Sequence, residues 1–526
     1  MRIRIVQWAV ALLVAALVFG TLVASAAAVE DRAKVIVGYR GSLGEATQLV
    51  EAFGGRVTIA YGNIPALAAS VPARAVGSIA SSAKIEYVEP VQARYLSGHI
   101  VPGEVWDGTP EILPWGTERV GAVTAWETTK GAGARVAVLD TGIDTTHADL
   151  ADNLDLASSW DFLEGDADPS DVPGPYQGHG TLASGNIAAI DNEIGTVGVA
   201  PEAEIVFFRV CHASAGICYT DAIVAGVDAA IEAGVDVVSM SFGGNAISRA
   251  ERVIMRAAWN AGIVLVASSG NGGRPPVNFP AALPEVIAVG ATDRADRLAG
   301  FSSYGHDQEL VAPGVDVPST FISGLGRDAL LSVTSPMSHE LSPNPMSFSA
   351  AGHESGDLVF VGLGMAAEIA GKDLSGKIAL IARGTISFKE KVANVAGAGA
   401  TAAVIHNNAA GNFFGTLQEL SAIPAVSISL EEGMMLRAAL AEGTTVVVDL
   451  EVSILDYDVA SGTSFSAPHV SGVAALVASA NSELSNWEIR VILAMTASDL
   501  GPAGYDRFFG FGLVNAADAV AAATAP

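Results

Sequence analysis

The fold of this chain is decided by the stretch Ser461-Gly-Thr-Ser-Phe-Ser-Ala-Pro-His-Val-Ser-Gly472. It places Ser464 between a glycine turn and the expected start of an apolar helix. Free backbone N–H groups at a helix entry help to hold the negative charge that develops when a nucleophile attacks a carbonyl. Pro468 falls in the expected first turn, where its missing N–H costs little. The stretch therefore predicts a nucleophilic serine, although a serine in such a turn can also be a simple helix cap.

A serine nucleophile needs a neighbouring base, and the base needs a carboxylate that orients it. His179 lies between Gly178 and Gly180, just before an apolar run that suits a helix. Asp140 ends a short buried-strand pattern that begins at Arg135. A carboxylate at the carboxyl end of a strand is a usual active-site placement in open α/β sheets. Taken singly, His179 and Asp140 could equally be turn residues.

These segments, in the order Asp140, His179 and Ser464, resemble the subtilisin-like serine peptidases, or subtilases, which share that order. The resemblance implies that Ser464 is the nucleophile, that His179 is the general base and later the acid, and that Asp140 fixes the imidazole tautomer. A fourth segment, the strand-like run that ends at Asn271, matches the family segment whose side-chain amide completes the oxyanion hole with the Ser464 N–H. Asn271 alone could be a turn residue, so the linked pattern carries the inference.

Length and composition suit a folded, exported enzyme. The chain has 526 residues, of which 50% are hydrophobic and 16% charged, enough for a large core and more than one domain. Residues 1–28 read as a secretory signal: Arg2 and Arg4 precede an apolar run, and small residues follow it. We expect a secreted protein without stable membrane insertion after signal cleavage. An uncleaved membrane anchor is the competing interpretation.

The chain is strongly acidic, with a formal net charge of −28. This charge argues against nucleic acid as a partner. Lysine is scarce, and only Lys130 falls in the segments that resemble a catalytic domain. Such a balance would suit a salty or cation-rich medium, with plain solubility as the alternative explanation.

Two cysteines, Cys211 and Cys218, are separated by a short loop. Because an exported chain can keep them oxidised, we expect a small-loop disulfide. Free thiols are the alternative, and a metal site with His212 is a weaker one because nothing nearby supplies the remaining ligands.

Residues 33–95 form a unit of their own, with strand-like Lys34–Tyr39 and an amphipathic stretch from Leu43 to Phe53. The unit resembles the subtilase inhibitor propeptide, which implies an α+β ferredoxin-like fold and an intramolecular inhibitor. Its extended end is of the kind that occupies the active site of its own enzyme, so we expect self-cleavage close to Tyr95–Leu96. A retained structural subdomain is the alternative.

Residues 113–320 and 456–526 are expected to form the catalytic domain. Apolar strand candidates alternate with helical patterns, notably Thr220 to Ala233 and Ser248 to Ala261, which is typical of a parallel sheet covered on both faces. The expected fold class is therefore α/β, a subtilisin-like doubly wound parallel sheet. The strand candidates are Ala134–Leu139, Glu204–Val210, Val235–Ser241, Val264–Ser268 and Val286–Val289.

An insert, residues 321–455, separates the Ala312-Pro-Gly314 segment from the serine motif. Within it, Asp373–Asn408 resembles a protease-associated (PA) domain, which implies a β-rich insert. Next to the nucleophile, such an insert could filter or dock large substrates, or it could be an inert decoration.

The resemblance also implies structural calcium, whose oxygen ligands would come from two places. The first site would use the Asp149 carboxylate, the Asn192 side chain and the backbone carbonyls of Ile190, Ile194 and Thr196. A second site would use an acidic cluster, for which a solvated loop is the alternative. The cluster comprises Asp161, Glu164, Asp166 and Asp168.

For substrate, the resemblance implies an extended peptide paired by main-chain hydrogen bonds with two edges. The first edge is Ser241, Phe242 and Gly243, and the second is Ser268, Ser269 and Gly270. Asn278 matches the floor of the primary pocket and would narrow or polarise it. The sequence thus predicts a monomeric, calcium-stabilised serine endopeptidase acting on proteins or peptides and made as a zymogen. The alternative is a catalytically silent PA-containing binding or adhesion protein on the same fold.

Overall fold

The computed structural model describes residues 31–100, 110–413 and 415–525. The predicted signal segment, residues 1–28, lies outside them. The chain divides into two compact units, one ending at Val91 and the other beginning at Gln92. In the described ranges, no helix is both long and apolar enough to span a bilayer.

The first unit is an antiparallel sheet with two helices, in the chain order β1-α1-β2-β3-α2-β4. The sheet order is β2-β3-β1-β4, which is the ferredoxin-like arrangement expected from the sequence. Helix α1 begins at a capping box in which Ser42 and Glu45 bond reciprocally to each other's backbone N–H. The elements are β1 Arg32–Tyr39, α1 Leu43–Ala52, β2 Arg56–Ala60, β3 Ala66–Pro72, a 3₁₀ turn Ala73–Ala75, α2 Val76–Ala80 and β4 Ile85–Pro90.

The second unit begins with two short strands and then alternates strands and helices. The strands are β5 Ala93–Leu96, β6 Gly98–Ile100, β7 Arg135–Asp140, β8 Trp160–Asp161, β9 Glu204–Arg209, β10 Cys211–His212, β11 Ile217–Tyr219, β12 Val237–Met240, β13 Phe242–Gly243, β14 Val264–Ser268, β15 Val286–Thr292, β16 Leu310–Pro313 and β17 Val317–Thr320. The helices are α3 Trp115–Arg119, α4 Ala122–Ala125, α5 His179–Ala188, α6 Thr220–Ala233 and α7 Arg249–Asn260, with a 3₁₀ turn at Ala151–Asn153.

The insert follows as an eight-stranded sheet with three helices, in the order β19-β18-β25-β21-β22-β23-β24-β20. Its middle strands, β21 to β24, are parallel, while β18, β25 and β21 pair antiparallel. The elements are β18 Gly326–Ser335, β19 His339–Glu340, β20 Asn344–Pro345, β21 Gly352–Phe360, α8 Ala366–Ile369, β22 Ile378–Ala382, α9 Phe388–Gly397, β23 Ala402–His406, β24 Ala425–Ile428, α10 Leu430–Ala441 and β25 Val447–Leu455.

The chain returns to the catalytic domain through β26 Tyr457–Gly462, which pairs antiparallel with β17. It ends with α11 Thr463–Ala480, α12 Asn486–Met495 and α13 Ala516–Ala523. Strands β17 and β26 thus form a stem, and β18 and β25 continue the stem into the insert.

The centre of the catalytic domain is a seven-stranded parallel sheet in the order β16-β15-β14-β12-β7-β9-β8. Its strands are buried on both faces, as expected for a doubly wound sheet. Helix α11 contains no charged residue, and all of it from Thr463 to Ala478 is buried. Its apolar residues pack with those of the sheet strands in one hydrophobic core, which fixes the nucleophile motif against the sheet.

Candidate active site

The three residues of the expected triad meet at the carboxyl edge of the parallel sheet. Asp140 is the last residue of β7, His179 is the first of α5 and Ser464 is the second of α11. All three are buried, and His179 Nδ1 lies 2.8 Å from Asp140 Oδ1. Asp140 Oδ1 also accepts a hydrogen bond from the Thr141 N–H at 2.7 Å, so the carboxylate that orients the ring is itself held. Such a carboxylate fixes the imidazole tautomer.

The turn before the histidine requires glycine. Gly178 has a φ of 80°, and a Cβ at this position would lie 1.9 Å from the Phe321 ring. No L-residue with a side chain fits there without a rearrangement. Gly178 therefore fixes the point at which His179 enters the site.

Ser464 is held from both sides by Ser241. The Ser464 hydroxyl donates to the Ser241 carbonyl at 2.8 Å, and the Ser241 hydroxyl donates to the Ser464 carbonyl at 2.7 Å. The buried Nε2 of His179 has no hydrogen-bond partner in the described part of the chain. The base therefore has one free ring nitrogen, and its ring lies 5.2 Å from that of Phe465, the residue after Ser464.

Two donors converge on a carbonyl of the chain itself, that of Ser97. The Ser464 N–H donates to the Ser97 oxygen at 3.0 Å, and the Asn271 Nδ2 donates to it at 2.6 Å. Asn271 is oriented by Thr463, whose N–H and hydroxyl both donate to Asn271 Oδ1, at 3.0 and 2.9 Å. This pair of donors has the geometry of an oxyanion hole. Sequence reasoning found Ser464 and Asn271 but missed Thr463, although it stands inside the nucleophile motif.

The segment before Ser97 lies in the site as an extended strand. Strand β5 pairs antiparallel with β13 on one side and with β11 on the other. The Ser97 N–H adds a bond to the Ser241 carbonyl at 3.1 Å. The first expected edge, Ser241 to Gly243, thus carries an extended segment of this chain.

The second expected edge requires correction, because β5 pairs with Ile217–Tyr219 and not with Ser268–Gly270. The backbone groups of Ser269 and Gly270 are already used: the Ser269 N–H donates to Val289, and the Gly270 N–H donates to the Thr463 hydroxyl. The Gly270 carbonyl accepts from the Ser303 N–H at 2.7 Å. Ser268 belongs to β14 of the central sheet. The N–H groups of Ser269 and Gly270 are therefore not free to pair with a peptide.

The segment after Ser97 is bound too. Strand β6 pairs antiparallel with β26, with Gly98 opposite Gly462. A Cβ at Gly98 would lie 2.6 Å from the Phe465 ring and 2.9 Å from the Ser464 Cβ. The peptide bond between Ser97 and Gly98 therefore lies directly at the nucleophile. The bond between Tyr95 and Leu96, close to which the sequence places self-cleavage, lies two residues earlier.

Asn278 lies where the primary pocket was expected. A Cβ at Gly270 would lie 2.4 Å from its Nδ2, and a Cβ at Gly243 would lie 2.9 Å from its Cβ. Its backbone N–H donates to the Ser269 carbonyl at 3.0 Å. The side chain thus fills space between the two segments that begin at Ser241 and Ser268.

The disulfide lies at the rim of this cleft. Cys211 and Cys218 are joined, with the sulfur atoms 2.04 Å apart, as the sequence predicted. The two cysteines are directly opposite each other in the β10–β11 hairpin, and Arg94 is paired with Cys218 across the next strand. The covalent link therefore closes the hairpin that forms one edge of the cleft.

A second carboxylate, Asp171, lies beside the triad and was missed in the sequence. Its Oδ2 accepts from the Gly178 N–H at 2.5 Å and from the Thr141 hydroxyl at 3.3 Å. Burial, together with the charge of Asp140, raises the pKa of Asp171 to about 6. Asp171 thus holds the residue that precedes His179, but no sequence motif marks it.

The residues expected to bind a first calcium ion are close together. Asp149 is buried, and its Oδ2 accepts from the Thr196 N–H at 2.9 Å, while Oδ1 has no hydrogen-bond partner in the described residues. Burial, together with the nearby charge of Glu111, raises the pKa of Asp149 to about 7. Glu111 accepts from the Asn192 N–H at 2.9 Å. Two carboxylates facing one loop, one with an unused buried oxygen, fit a hard cation.

The remaining expected ligands lie on the same loop. The Ile190 N–H donates to the Asp149 carbonyl at 2.9 Å, and the Ile194 N–H donates to the Asn192 side-chain oxygen at 3.1 Å. Sequence reasoning missed Glu111, whose only signal is its acidic side chain before the catalytic domain. In the described ranges, no group of three or more His, Cys, Asp or Glu side chains is placed so that it could hold a metal ion.

The second acidic cluster has other contacts. Asp161 is buried in an ion pair with Arg209, and its Oδ1 accepts from the N–H groups of Leu163 and Glu164 at 2.7 and 3.2 Å. Asp166 and Asp168 accept from backbone N–H groups two residues further on, at 3.0 and 3.1 Å. These contacts account for the carboxylates of Asp161, Asp166 and Asp168, and the second calcium site stays a prediction.

Two protein families match this chain. The model of the subtilase family matches residues 131–348 and 439–512, and the model of the PA domain matches residues 350–436, within the expected insert. Thermitase of Thermoactinomyces vulgaris is 36% identical over 208 residues, which cover 39% of this chain and 72% of thermitase. Minor extracellular protease Vpr of Bacillus subtilis is 32% identical over 340 residues, 62% of this chain but only 38% of that protein.

A solved structure with 29% sequence identity to this chain shows the same fold. The psychrophilic subtilisin-like protease Apa1 of Pseudoalteromonas sp. AS-11 superposes with a TM-score of 0.52 at 29% identity, covering 79% of this chain and all (100%) of that one. The fold, the meeting of Asp140, His179 and Ser464, and the family match lead to one conclusion. The chain belongs to the subtilase family of serine endopeptidases and carries a PA domain.

Proposed function

We propose that this chain is a secreted, self-processing endopeptidase that cuts peptide bonds through Ser464, His179 and Asp140. One observation supports the proposal most strongly: the carbonyl of Ser97 receives hydrogen bonds from both the Ser464 N–H and Asn271. A binding protein on this fold would have no need to aim two donors at one carbonyl of an extended segment.

The chemistry follows from these contacts. The Ser464 hydroxyl turns from the Ser241 carbonyl, gives its proton to His179 Nε2, and Oγ attacks the carbonyl carbon. The Ser464 N–H and Asn271 hold the oxyanion, while Asp140 stabilises the imidazolium. The intermediate then expels the amine, which takes the proton from His179 and leaves an acyl-enzyme. Water, deprotonated by His179, hydrolyses the ester and restores the hydroxyl.

The first bond to be cut is the one between Ser97 and Gly98. Strands β5 and β6 lie on either side of this bond and pair with β11, β13 and β26, so the segment before the bond remains as an intramolecular inhibitor until it is released. Other proteins and peptides would bind to β11, β13 and β26 as extended segments.

Covalent labelling with a fluorophosphonate probe tests the activated serine. Processed wild type should be labelled, and its first residue by N-terminal sequencing should be Gly98. Ser464→Ala should stay unlabelled and uncut at Ser97. Absence of label on processed, folded wild type would contradict the peptidase proposal and favour a silent PA-containing binding or adhesion protein.

A calcium ion is proposed at the loop that faces Asp149. The Asp149 carboxylate, the Asn192 side chain and the carbonyls of Ile190, Ile194 and Thr196 would hold it, with the Glu111 charge nearby. A bound cation would satisfy the buried Asp149 oxygen and reduce the repulsion between the two carboxylates. It would stabilise the native state only.

Thermal unfolding of the Ser464→Ala protein, which cannot digest itself, tests this site. Calcium at about 100 times its Kd should add about 2.7 kcal/mol to the free energy of unfolding. Asp149→Asn should remove the calcium response, whereas the matched change Asp168→Asn in the second acidic cluster should leave it. A response lost with Asp168→Asn instead would assign the ion to the second cluster.

A further inference from the structure

Arg94 and Glu251 form an ion pair inside the cleft. Arg94 Nε donates to Glu251 Oε1 at 2.9 Å, and the Nη2 group of Arg94 donates to Oε2, so the pair is bidentate. The exposed fractions of the two side chains are 3% and 0%. Bidentate guanidinium–carboxylate pairs combine opposite charge with a fixed planar geometry. Few side chains have both the charge and the geometry that such a pair requires.

The register of β5 determines the position of Arg94 relative to the bond between Ser97 and Gly98. With the Ser97 carbonyl in the donor pair of Ser464 and Asn271, Arg94 is the fourth residue before the bond to be cut. Tyr95 is 57% exposed, whereas the Arg94 side chain enters the protein. The fourth residue before the cleaved bond therefore binds to the buried carboxylate of Glu251. This numbering rests on the function proposed above.

Helix capping does not by itself account for Glu251. The residue completes a capping box with Ser248 at the start of α7, with bonds of 3.0 and 3.1 Å. In the described part of the chain, three other helices begin with a box of serine and glutamate, but their glutamates, Glu45, Glu432 and Glu488, are exposed or half-buried. A cap functions well at the surface, so the complete burial of Glu251 needs another partner.

Once the segment before Gly98 is released, Glu251 loses that partner. A buried carboxylate without a counter-charge is costly, whereas a charged pair with good geometry is not. We infer that Glu251 forms a subsite for arginine, and that the mature enzyme prefers substrates with arginine at the fourth position before the cleaved bond.

The subsite distinguishes arginine from lysine. Lysine offers a single point charge and cannot engage both carboxylate oxygens in one plane. Arg94 also packs over Gly244, where a Cβ would lie 3.1 Å from the Arg94 Cδ and 3.4 Å from Nη1. A glycine at this position leaves room for the planar guanidinium and its stem.

The first test uses wild-type mature enzyme and needs no variant. Four internally quenched peptides share the sequence around Ser97 and differ only at the position of Arg94: arginine, lysine, citrulline or leucine. Citrulline keeps the shape of arginine but has no charge. We expect kcat/KM for the arginine peptide to exceed that for citrulline by roughly 30-fold or more, since losing one partner of a buried charged pair typically costs 2 kcal/mol or more. The lysine peptide should fall between the two.

The second test assigns the preference to Glu251. In Glu251→Gln the amide can still accept from Ser248, so the cap is kept while the charge is lost, and the ratio between arginine and citrulline should fall to about 3-fold or less. Glu488→Gln makes the same change in an exposed capping box and should keep the wild-type ratio. Active enzyme is counted in each case by fluorophosphonate labelling.

The outcomes separate the inference from the function on which it rests. Fully labelled wild type that cleaves all four peptides equally would overturn the subsite and leave the endopeptidase function standing, with Arg94 only a clamp for the chain's own segment. An arginine preference that survives Glu251→Gln would overturn the role of Glu251. Wild type with neither label nor cleavage would refute the endopeptidase function and the subsite together.

Discussion

At the scale of single residues, the site depends on side chains that orient other side chains. Asn271 reaches the Ser97 carbonyl because Thr463 holds its oxygen with two hydrogen bonds. An amide that can rotate freely would present oxygen and nitrogen in turn, and only the nitrogen can donate to a developing oxyanion. Thr463 is thus a positioning residue for the oxyanion hole.

Replacing Thr463 tests this role. Thr463→Val removes the hydroxyl that donates to Asn271 and should lower kcat about 10-fold with little change in KM, because one hydrogen bond of about 1.4 kcal/mol is lost mainly in the transition state. Thr463→Ser keeps the hydroxyl and should stay near wild type. Steady-state kinetics with one peptide measures both, and equal kcat values for the two variants would argue against positioning through the hydroxyl.

At the residue scale, sequence motifs predicted which residues would lie together, and their chemical roles stay predictions. Asp140, His179, Ser464 and Asn271 stand in such motifs, and the structure brings them together. Asp171, Glu111 and Glu251 were missed because a lone carboxylate in a sequence looks the same whether it lies in solvent or is buried. Glu251 in particular follows a serine by three residues, which is an ordinary helix-start pattern.

At the scale of elements, strand β26 links the insert to the nucleophile. Its start lies in the stem that carries the insert, its edge pairs with β6, and its end leads into α11 and Ser464. The insert also meets the catalytic domain at a cavity of about 150 Å³ lined by Phe321, Arg327 and Asp458, among others. A displacement of the insert can therefore be passed to β26, the strand that pairs with β6 after the bond between Ser97 and Gly98.

Asp458 of β26 makes the stability of this junction depend on pH. Burial and the charge of Asp328, opposed by Arg327 and by the Val459 N–H, together raise the pKa of Asp458 to about 8. Because the native carboxyl binds its proton more tightly than the unfolded one, its contribution to stability is complete below about pH 4 and is lost as the pH rises through 8. The slope is at most about 1.4 kcal/mol per pH unit.

Asp458→Asn should abolish that loss. In the Ser464→Ala background, the unfolding midpoint of the variant should match that of the parent near pH 4 and exceed it increasingly towards pH 8. The exposed Asp357→Asn, in the same insert, is the control and should show no such trend. A constant difference between variant and parent at all pH values would contradict the titration of Asp458.

Element boundaries were predicted well where periodicity and caps agree. Helix α6 and strand β14 have the ends that the sequence indicated, because Gly234 ends the helix in a left-handed conformation and the strand is an unbroken apolar run. The pairing of β5 was not predictable. Main-chain pairing is the same for every residue type, so neither the partner strand nor the register leaves a trace in the sequence.

At the scale of the whole molecule, acidic charge dominates. The net charge of −28 comes from 56 acidic and 28 basic residues. Like charges spread over a surface repel one another and oppose the compact state, and salt screens this repulsion. The stability of the molecule should therefore depend on ionic strength.

The unfolding midpoint of the Ser464→Ala protein should rise by several degrees between about 0.02 M and 1 M sodium chloride, because the Debye length shrinks from tens of ångströms to about 3 Å. Calcium must be kept in constant excess so that its own site stays filled. A midpoint that stays level or falls with salt would favour solubility alone as the reason for the acidic surface.

The segment around Ser97 lies in the same compact unit as Ser464, threaded through the cleft on both sides of the bond at the nucleophile. If the chain processes itself as proposed, cleavage of this bond is an event within one molecule, and its rate would not depend on how often two molecules meet. The half-time of activation would then be a fixed property of the chain, the same in a dilute medium as in a crowded one. Activation would start with folding and would not depend on the number of copies present.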